Sequence, residues 1–106
     1  MNTFKIIESK EYWEWFDSIA DRQSRSRIDA RLRRLARGHF GDCRSVGGGV
    51  YELRIHCGSG YRVYFVRRGE RLIVLLSGGD KSSQVRDIHR AKRVAEERWE
   101  GSRWEE

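Results

Sequence analysis

Residues 50–77 read VYELRIHCGSGYRVYFVRRGERLIVLLS, and this stretch decides the fold. Apolar and polar side chains alternate through 50–56 and 61–67, which is typical of two half-buried strands. The CGSG tetrapeptide between them indicates a turn. Residues 71–77 form an almost continuous apolar run, which predicts a strand covered on both faces. The stretch therefore predicts an antiparallel hairpin beside a buried strand.

The alternation also predicts which side chains share a face of the hairpin. Arg54 and His56 lie on one side of the first strand, and Arg62 and Tyr64 lie on one side of the second. The apolar sets coincide only with a loop of three or five residues, or with a bulge. Arg54 then lies opposite Arg62 or Tyr64. We expect these polar side chains to emerge together on an open face of the sheet.

Two helices are predicted before this hairpin. Residues 3–8 are typical of a short strand, and Ser9 suits the N-cap of a helix with a core-facing aromatic stripe. A second helix is expected to run from Asp21 or Ser24 to Arg37. Its apolar stripe is narrow, and its other faces carry arginines, namely Arg22, Arg25, Arg27, Arg31, Arg33, Arg34 and Arg37.

A third helix is predicted after the buried strand. Gly78 and Gly79 are expected to end that strand. The helix then begins near Ser82 or Ser83 and runs to about Trp99. Its expected buried side consists of Val85, Ile88, Ala91 and Ala95.

This order of elements indicates an α+β fold. We expect an N-terminal strand and a helical hairpin packed on a twisted, largely antiparallel sheet, with a C-terminal helix. The 106 residues contain no proline and no Ser/Gly linker. We therefore expect a single domain over residues 1–106, in which residues 100–106 form a frayed tail.

Charge restricts the class of partner. The chain has 22 Lys and Arg against 16 Asp and Glu, a formal charge of +6, and arginine supplies all but four of the basic residues. A small, arginine-rich domain indicates a nucleic acid or an acidic protein as its partner. Cys43 and Cys57 form no CxxC pair, and no signal peptide is evident, so we expect a cytoplasmic protein. No apolar run is long enough to span a membrane.

The hairpin carries the first set of candidate functional residues. Two arginines on a common face repel each other, which makes sense if an anion neutralises them. Arg54, Arg62, Tyr64 and His56 would then form an anion-binding site. The alternative is that Arg54 and Arg62 pair with Glu52 or another acid, while Tyr64 merely covers the sheet.

The segment 77–84, SGGDKSSQ, is the second candidate. Glycines before a helix start leave backbone N–H groups free beside Lys81, and such a place binds phosphate well. The alternative is an ordinary turn capped by serine. His39, His56 and His89 lack the spacing of metal ligands, so we expect neither a metal nor a cofactor.

The string from residue 49 to 97, GVYELRIHCGSGYRVYFVRRGERLIVLLSGGDKSSQVRDIHRAKRVAEE, closely resembles the addiction-module killer proteins, HigB-like members of the RelE/ParE toxin superfamily. The likeness extends upstream through RIDARLRRLARGHFGD and covers residues 4–97. It implies the same α+β fold. It also implies the toxin of a type II toxin–antitoxin system, an endoribonuclease that cuts messenger RNA on the ribosome and inhibits translation.

The resemblance implies a mechanism without metal or cofactor. The 2′-hydroxyl of the RNA attacks its neighbouring phosphate, and basic residues stabilise the transition state. Arg54 and Arg62 match the positions that clamp the scissile phosphate, and Lys81 is the closest match to a basic residue after the last strand. Further RNA contacts are expected from Gln84, Arg86, Arg31 and Arg34.

The proton-transfer group departs from the family pattern. Where RelE has a tyrosine near the start of its C-terminal segment, this chain has Arg86. The resemblance therefore leaves Tyr64 or His56 to transfer the proton, or charge stabilisation to act alone.

The resemblance also implies partners and leaves two other functions open. The expected partners are an antitoxin of the helix-turn-helix type, messenger RNA and the ribosome, and no membrane. One alternative is a ParE-like inhibitor of DNA gyrase, which performs no chemistry. Another is a non-toxic module that binds nucleic acid through its arginine-rich helix. Trp13, Trp99 and Trp104 would either contact the antitoxin or pack helix ends on the core.

Overall fold

A computed structural model of the protein describes residues 3–98. The predicted α+β class and the predicted order of elements are confirmed. The expected tail at 100–106 lies outside the described residues, as do Trp99 and Trp104. The elements are β1 (Lys5–Glu8), α1 (Lys10–Asp17), α2 (Arg22–Ala36), β2 (Cys43–Gly47), β3 (Val50–Ile55), β4 (Tyr61–Arg68), β5 (Leu72–Gly79), a 3₁₀ turn (Lys81–Ser83) and α3 (Gln84–Arg98).

The five strands form one sheet in the order β1-β5-β4-β3-β2. All neighbours are antiparallel except β1, which pairs parallel with β5. All eight residues of β5 are buried, which confirms the strand expected to be covered on both faces. Among residues 3–98, no helix has the length and apolar character needed to cross a bilayer.

The register of the β3–β4 hairpin agrees with the prediction made from the alternation of its side chains. Arg54 faces Arg62 and Glu52 faces Tyr64 across β3 and β4, which are joined by the five-residue loop 56–60. A loop of this length puts the apolar side chains of both strands on one face. Both predictions, the odd-length loop and the opposition of Arg54, are confirmed.

Helices cover both faces of the sheet. One core includes side chains of α1 and α2, among them Tyr12, Ile28 and Leu35, and a second core packs α3 against Tyr64 and Val66. The prediction of an open polar face is therefore wrong. Tyr64 does share this face with Arg62, but the prediction missed that α3 packs on the face and buries Tyr64.

Polar side chains satisfy the backbone at the starts of the helices. Ser9 accepts a hydrogen bond from the Tyr12 N–H at 3.0 Å, as predicted for an N-cap. Asp21 caps α2, so the first of the two starts proposed for that helix is confirmed. The 3₁₀ turn that leads into α3 is capped by Asp80 rather than by a serine.

One expectation about this region is confirmed and one is wrong. Gly78 and Gly79 end β5, as its last two residues. A Cβ at Gly78 would overlap the ring of Trp15, and one at Gly79 would overlap the Asp87 carboxylate. The two glycines therefore let α1 and α3 approach the same strand end closely. Val85, expected on the buried side of α3, is 73% exposed.

Candidate active site

The end of the β3–β4 hairpin gathers most of the predicted catalytic residues around one cavity. Arg54, Arg62, Lys81 and His56 all line it, and its volume is about 260 Å³. The sheet register brings the two arginines together, and the turn after β5 supplies Lys81. Three cations beside one imidazole can bind a phosphate and exchange a proton with it.

A buried carboxylate lies beneath the arginines. Glu52 is fully buried, and its oxygens lie 2.9 Å from Nε of Arg44 and 3.5 Å from Nε of both Arg54 and Arg62. The alternative in which Arg54 and Arg62 pair with Glu52 is thus the arrangement observed. Because one carboxylate serves three guanidinium groups, the cluster keeps an excess of positive charge.

Two neutral donors complete the surroundings of Glu52. The Tyr64 hydroxyl donates to Oε2 at 3.0 Å, and the Gln84 amide donates to the same oxygen at 2.9 Å. Burial by itself would raise the pKa of Glu52, but the hydrogen bonds from Arg44, Gln84 and Tyr64 outweigh it and lower the pKa. Glu52 therefore remains ionised within the folded protein.

Tyr64 does not occupy the exposed position expected for it. Its side chain is fully buried under α3, and its hydroxyl is bound to Glu52. Burial, followed by the Glu52 charge, raises the pKa of Tyr64 well above its usual range. A phenol in this setting helps to hold Glu52 in place and does not line the cavity with His56.

His56 lies in the loop after β3, where its side chain is largely exposed. Its Nε2 lies 2.5 Å from Oδ2 of Asp42, and this hydrogen bond is the main reason that the pKa of Asp42 is lowered. The Arg54 backbone N–H also donates to the Asp42 carbonyl at 2.9 Å, which ties the two segments together. Asp42 thus orients the imidazole, leaving Nδ1 available for proton exchange.

The sequence carried little signal for Asp42. It is a single acid in the loop between α2 and β2, fourteen residues from its histidine. Acidic residues next to glycine are common in surface turns. The local pattern alone therefore does not distinguish a carboxylate that orients a histidine from one that only forms a turn.

The four residues expected to contact RNA lie in different places. Arg31 and Arg34 line a second cavity that adjoins the first. Gln84 is bound to Glu52, and Arg86 is exposed on α3 and lines neither cavity. The tertiary structure thus brings the arginines of α2, and not Arg86, next to the candidate active site.

The segment 77–84 is not the open phosphate cradle that its glycines suggested. The Ser82 N–H and hydroxyl both donate to Oδ1 of Asp80, at 2.9 and 2.7 Å. A carboxylate therefore occupies the helix start where an anion was expected. Lys81 still contributes its side chain to the cavity lining.

Comparisons with known proteins place the fold and the site in context. The model of the family described as "Phage derived protein Gp49-like" matches residues 14–100. The chain belongs to the Gp49-like family. This Gp49-like protein is also 42% identical over 95 residues to an uncharacterized protein of Haemophilus influenzae, covering 90% of this chain and 96% of that one.

A solved structure resembles the Gp49-like protein in its fold. It is a double-mutant form of the E. coli toxin RelE in the free state, with a TM-score of 0.64 and 15% sequence identity. The match covers 82% of this chain and 93% of RelE. The RelE-like fold expected from the sequence is confirmed.

Proposed function

We propose that this Gp49-like protein is the RelE-type toxin of a toxin–antitoxin pair and that it cleaves messenger RNA on the ribosome. The observation that carries the proposal is the shared cavity of Arg54, Arg62, Lys81 and His56. Inhibition of gyrase by surface contact requires no such cavity. The RelE-like fold and the family membership support the same function.

The arginines would hold the scissile phosphate. A pentacovalent transition state carries more negative charge than the ground-state phosphodiester, so fixed cations stabilise it preferentially. Arg54 and Arg62 are held at one carboxylate of Glu52, which limits their rotation. Lys81, which also lines the cavity, supplies a third positive charge from an exposed side chain.

His56, oriented by Asp42, would carry out the proton transfer. With its Nε2–H donated to Asp42, the imidazole accepts the proton of the RNA 2′-hydroxyl at Nδ1. The 2′-oxygen then bonds to phosphorus, and the bond from phosphorus to the 5′-oxygen of the next nucleotide breaks. The 5′-oxygen takes up a proton, and the upstream RNA ends in a 2′,3′-cyclic phosphate. No metal or cofactor takes part in these steps.

An antitoxin would be the protein partner. A cell tolerates such a nuclease only while another protein blocks it, and a helix-turn-helix antitoxin with an acidic surface would suit a basic toxin of formal charge +6. Ribosome, messenger and antitoxin are all cytoplasmic, so we propose the same location for this protein.

Expression with and without the antitoxin, followed by mapping of RNA ends, tests the proposal. The wild type should arrest growth and produce new messenger ends within translated regions. Arg62→Ala should abolish both, since removal of one electrostatic donor typically raises the barrier by about 2–4 kcal/mol. Arg33→Ala, which removes the same charge from the far side of α2, is the control.

Each alternative function has its own signature in this experiment. Growth arrest with intact messenger and an SOS response would establish gyrase inhibition instead. A wild type that binds RNA but never slows growth would be a non-toxic binding module. A soluble, folded Arg62→Ala protein with full toxicity would remove the cavity from the mechanism.

A further inference from the structure

A second and larger cavity adjoins the candidate active site. It lies between α2 and the end of β3, and its volume is about 540 Å³. Arg54, Ile55 and His56 line both cavities, so the two spaces share a wall. Two exposed arginines of α2, Arg27 and Arg34, also line the larger one.

Helical spacing brings three arginines to this cavity. Arg27, Arg31 and Arg34 are four and three positions apart, so they project from the same side of α2. Like charges at this spacing repel one another. The one carboxylate among the lining residues is Asp42, which already bonds to His56. The cavity thus carries a positive charge that its described lining residues do not balance.

Arg31 is the least exposed of these arginines, at 9%. Its Nη2 donates to the carbonyls of Phe40, Asp42 and Arg54 at 3.2, 3.4 and 3.3 Å. Its Nη1 is buried and has no hydrogen-bond partner among the described residues. Carbonyl dipoles orient the guanidinium but do not neutralise it. Desolvation, and then the charge of Arg34, lower the pKa of Arg31.

Gly41 lets the loop before β2 pass close to the guanidinium of Arg31. A Cβ at this position would lie 3.2 Å from both Nη atoms of Arg31. The backbone there has a φ of +63°, which glycine adopts without strain. A glycine at this point leaves open the space that a side chain would fill.

We propose that this cavity, defined by Arg27, Arg31 and Arg34, binds the RNA phosphate that neighbours the scissile one. The inference rests on the proposed function and adds a second phosphate subsite to it. Two consecutive phosphates of one strand would then lie in the two adjoining cavities, on either side of Arg54 and His56. This arrangement would align the strand so that its 2′-hydroxyl faces the imidazole.

Continuity with the first cavity favours RNA over an acidic protein segment as the occupant. Single-stranded RNA carries one phosphate per nucleotide, so a strand held in one cavity presents its next phosphate to an adjoining site. The planar fork of arginine can bind two oxygens of one phosphate at once.

The salt dependence of RNA binding tests the subsite. The probe is a fluorescein-labelled, single-stranded 2′-O-methyl RNA of ten nucleotides, which lacks the attacking hydroxyl and stays intact. Kd is measured by anisotropy between 50 and 200 mM salt for the wild type, for R27A/R34A and for the charge-matched control R33A/R37A. Arg31 is left unchanged because its bonds to three carbonyls support the loop.

The subsite predicts a specific difference between the two double variants. Each single-strand phosphate contact contributes about 0.7 to the slope of log K against log salt. R27A/R34A should lower the slope by about 0.7 or more and weaken binding at least tenfold at 50 mM salt. The control should bind as the wild type does. Equal slopes for R27A/R34A and its control would overturn the proposal.

Two further experiments distinguish this inference from the alternatives. The first uses a trinucleotide in which one of the two phosphate linkages is replaced by a neutral methylphosphonate. For the wild type, replacement of either linkage should weaken binding. For R27A/R34A, replacement of only one of the two linkages should do so. The second uses poly-L-glutamate of equal charge. If R27A/R34A binds poly-L-glutamate more weakly than the wild type does but binds RNA equally well, the cavity binds protein and the proposal is wrong. If the RNA defect stands while wild-type cells show no messenger cuts, the subsite survives and the nuclease proposal fails.

Discussion

Arg54 and Arg62 face each other directly across the β3–β4 ladder. Two like charges in this relationship destabilise a hairpin unless something compensates them. Glu52, two residues before Arg54 on the same strand face, provides the compensation at 3.5 Å from both Nε atoms. The two arginines of the candidate active site therefore depend on a buried acid that does not itself line the cavity.

Glu52→Gln should destabilise the protein strongly. The change preserves shape but leaves three guanidinium groups without their shared counter-ion, and breaking a buried ion pair typically costs about 3–5 kcal/mol. Tyr64→Phe removes just one hydrogen bond to the same carboxylate, so it should cost roughly 1.5–3 kcal/mol. Urea denaturation of both variants measures the difference. Equal losses would mean that the Glu52 charge contributes little.

Acid should unfold the protein partly through Glu52. The folded-state pKa of this carboxyl lies below its ordinary value of 4.5, so its contribution to stability is complete above that value. The contribution is lost as the pH falls through the folded-state pKa. Glu52→Gln should therefore flatten the decline in unfolding free energy below pH 4.5. Glu14→Gln, at an exposed site on α1, should leave the decline unchanged.

Arg62→Lys should separate charge from geometry. Lysine retains the positive charge beside Glu52, so we expect the free energy of unfolding to change by less than about 1.5 kcal/mol. It lacks the planar fork that binds two phosphate oxygens, so messenger cleavage should fall by at least tenfold. RNA-end mapping and urea denaturation of the same protein give the two quantities. Full cleavage by the lysine variant would show that charge alone is sufficient.

His56→Gln should remove the proton acceptor. We expect cleavage to slow by roughly 10²–10⁴-fold, as measured by mapping of RNA ends. Asp42→Asn should have a smaller effect, because Asp42 orients the ring through a hydrogen bond and is not the proposed proton acceptor. An unchanged cleavage rate in His56→Gln would show that another group or solvent accepts the proton.

Gly78→Ala should destabilise the fold without touching the cavity. The added methyl would overlap the Trp15 ring, and overpacking of this kind costs about 1–3 kcal/mol. Thermal unfolding would reveal the loss as a lowered Tm. Ser26→Ala, on the exposed side of α2, should shift stability by less than about 0.5 kcal/mol. A Gly78→Ala protein as stable as this control would show that α1 can shift freely.

The amino-acid sequence was sufficient for the β3–β4 hairpin because strand alternation is a local property. The period of two in 50–56 and 61–67 determined which residues share a face. It also required an odd loop or a bulge and put Arg54 opposite Arg62 or Tyr64, of which the structure has Arg62. Helix caps such as Ser9 were equally readable, since a hydroxyl reaches only its own first turn.

Only the tertiary structure decided what covers each face and which distant residues meet. Alternation distinguishes the two faces but does not say whether a helix will pack on the second, so the burial of Tyr64 under α3 was missed. The pairing of Asp42 with His56, and the approach of the α2 arginines to β3, join segments that are far apart in sequence. Contacts of this kind arise from packing of whole elements, which no local pattern encodes.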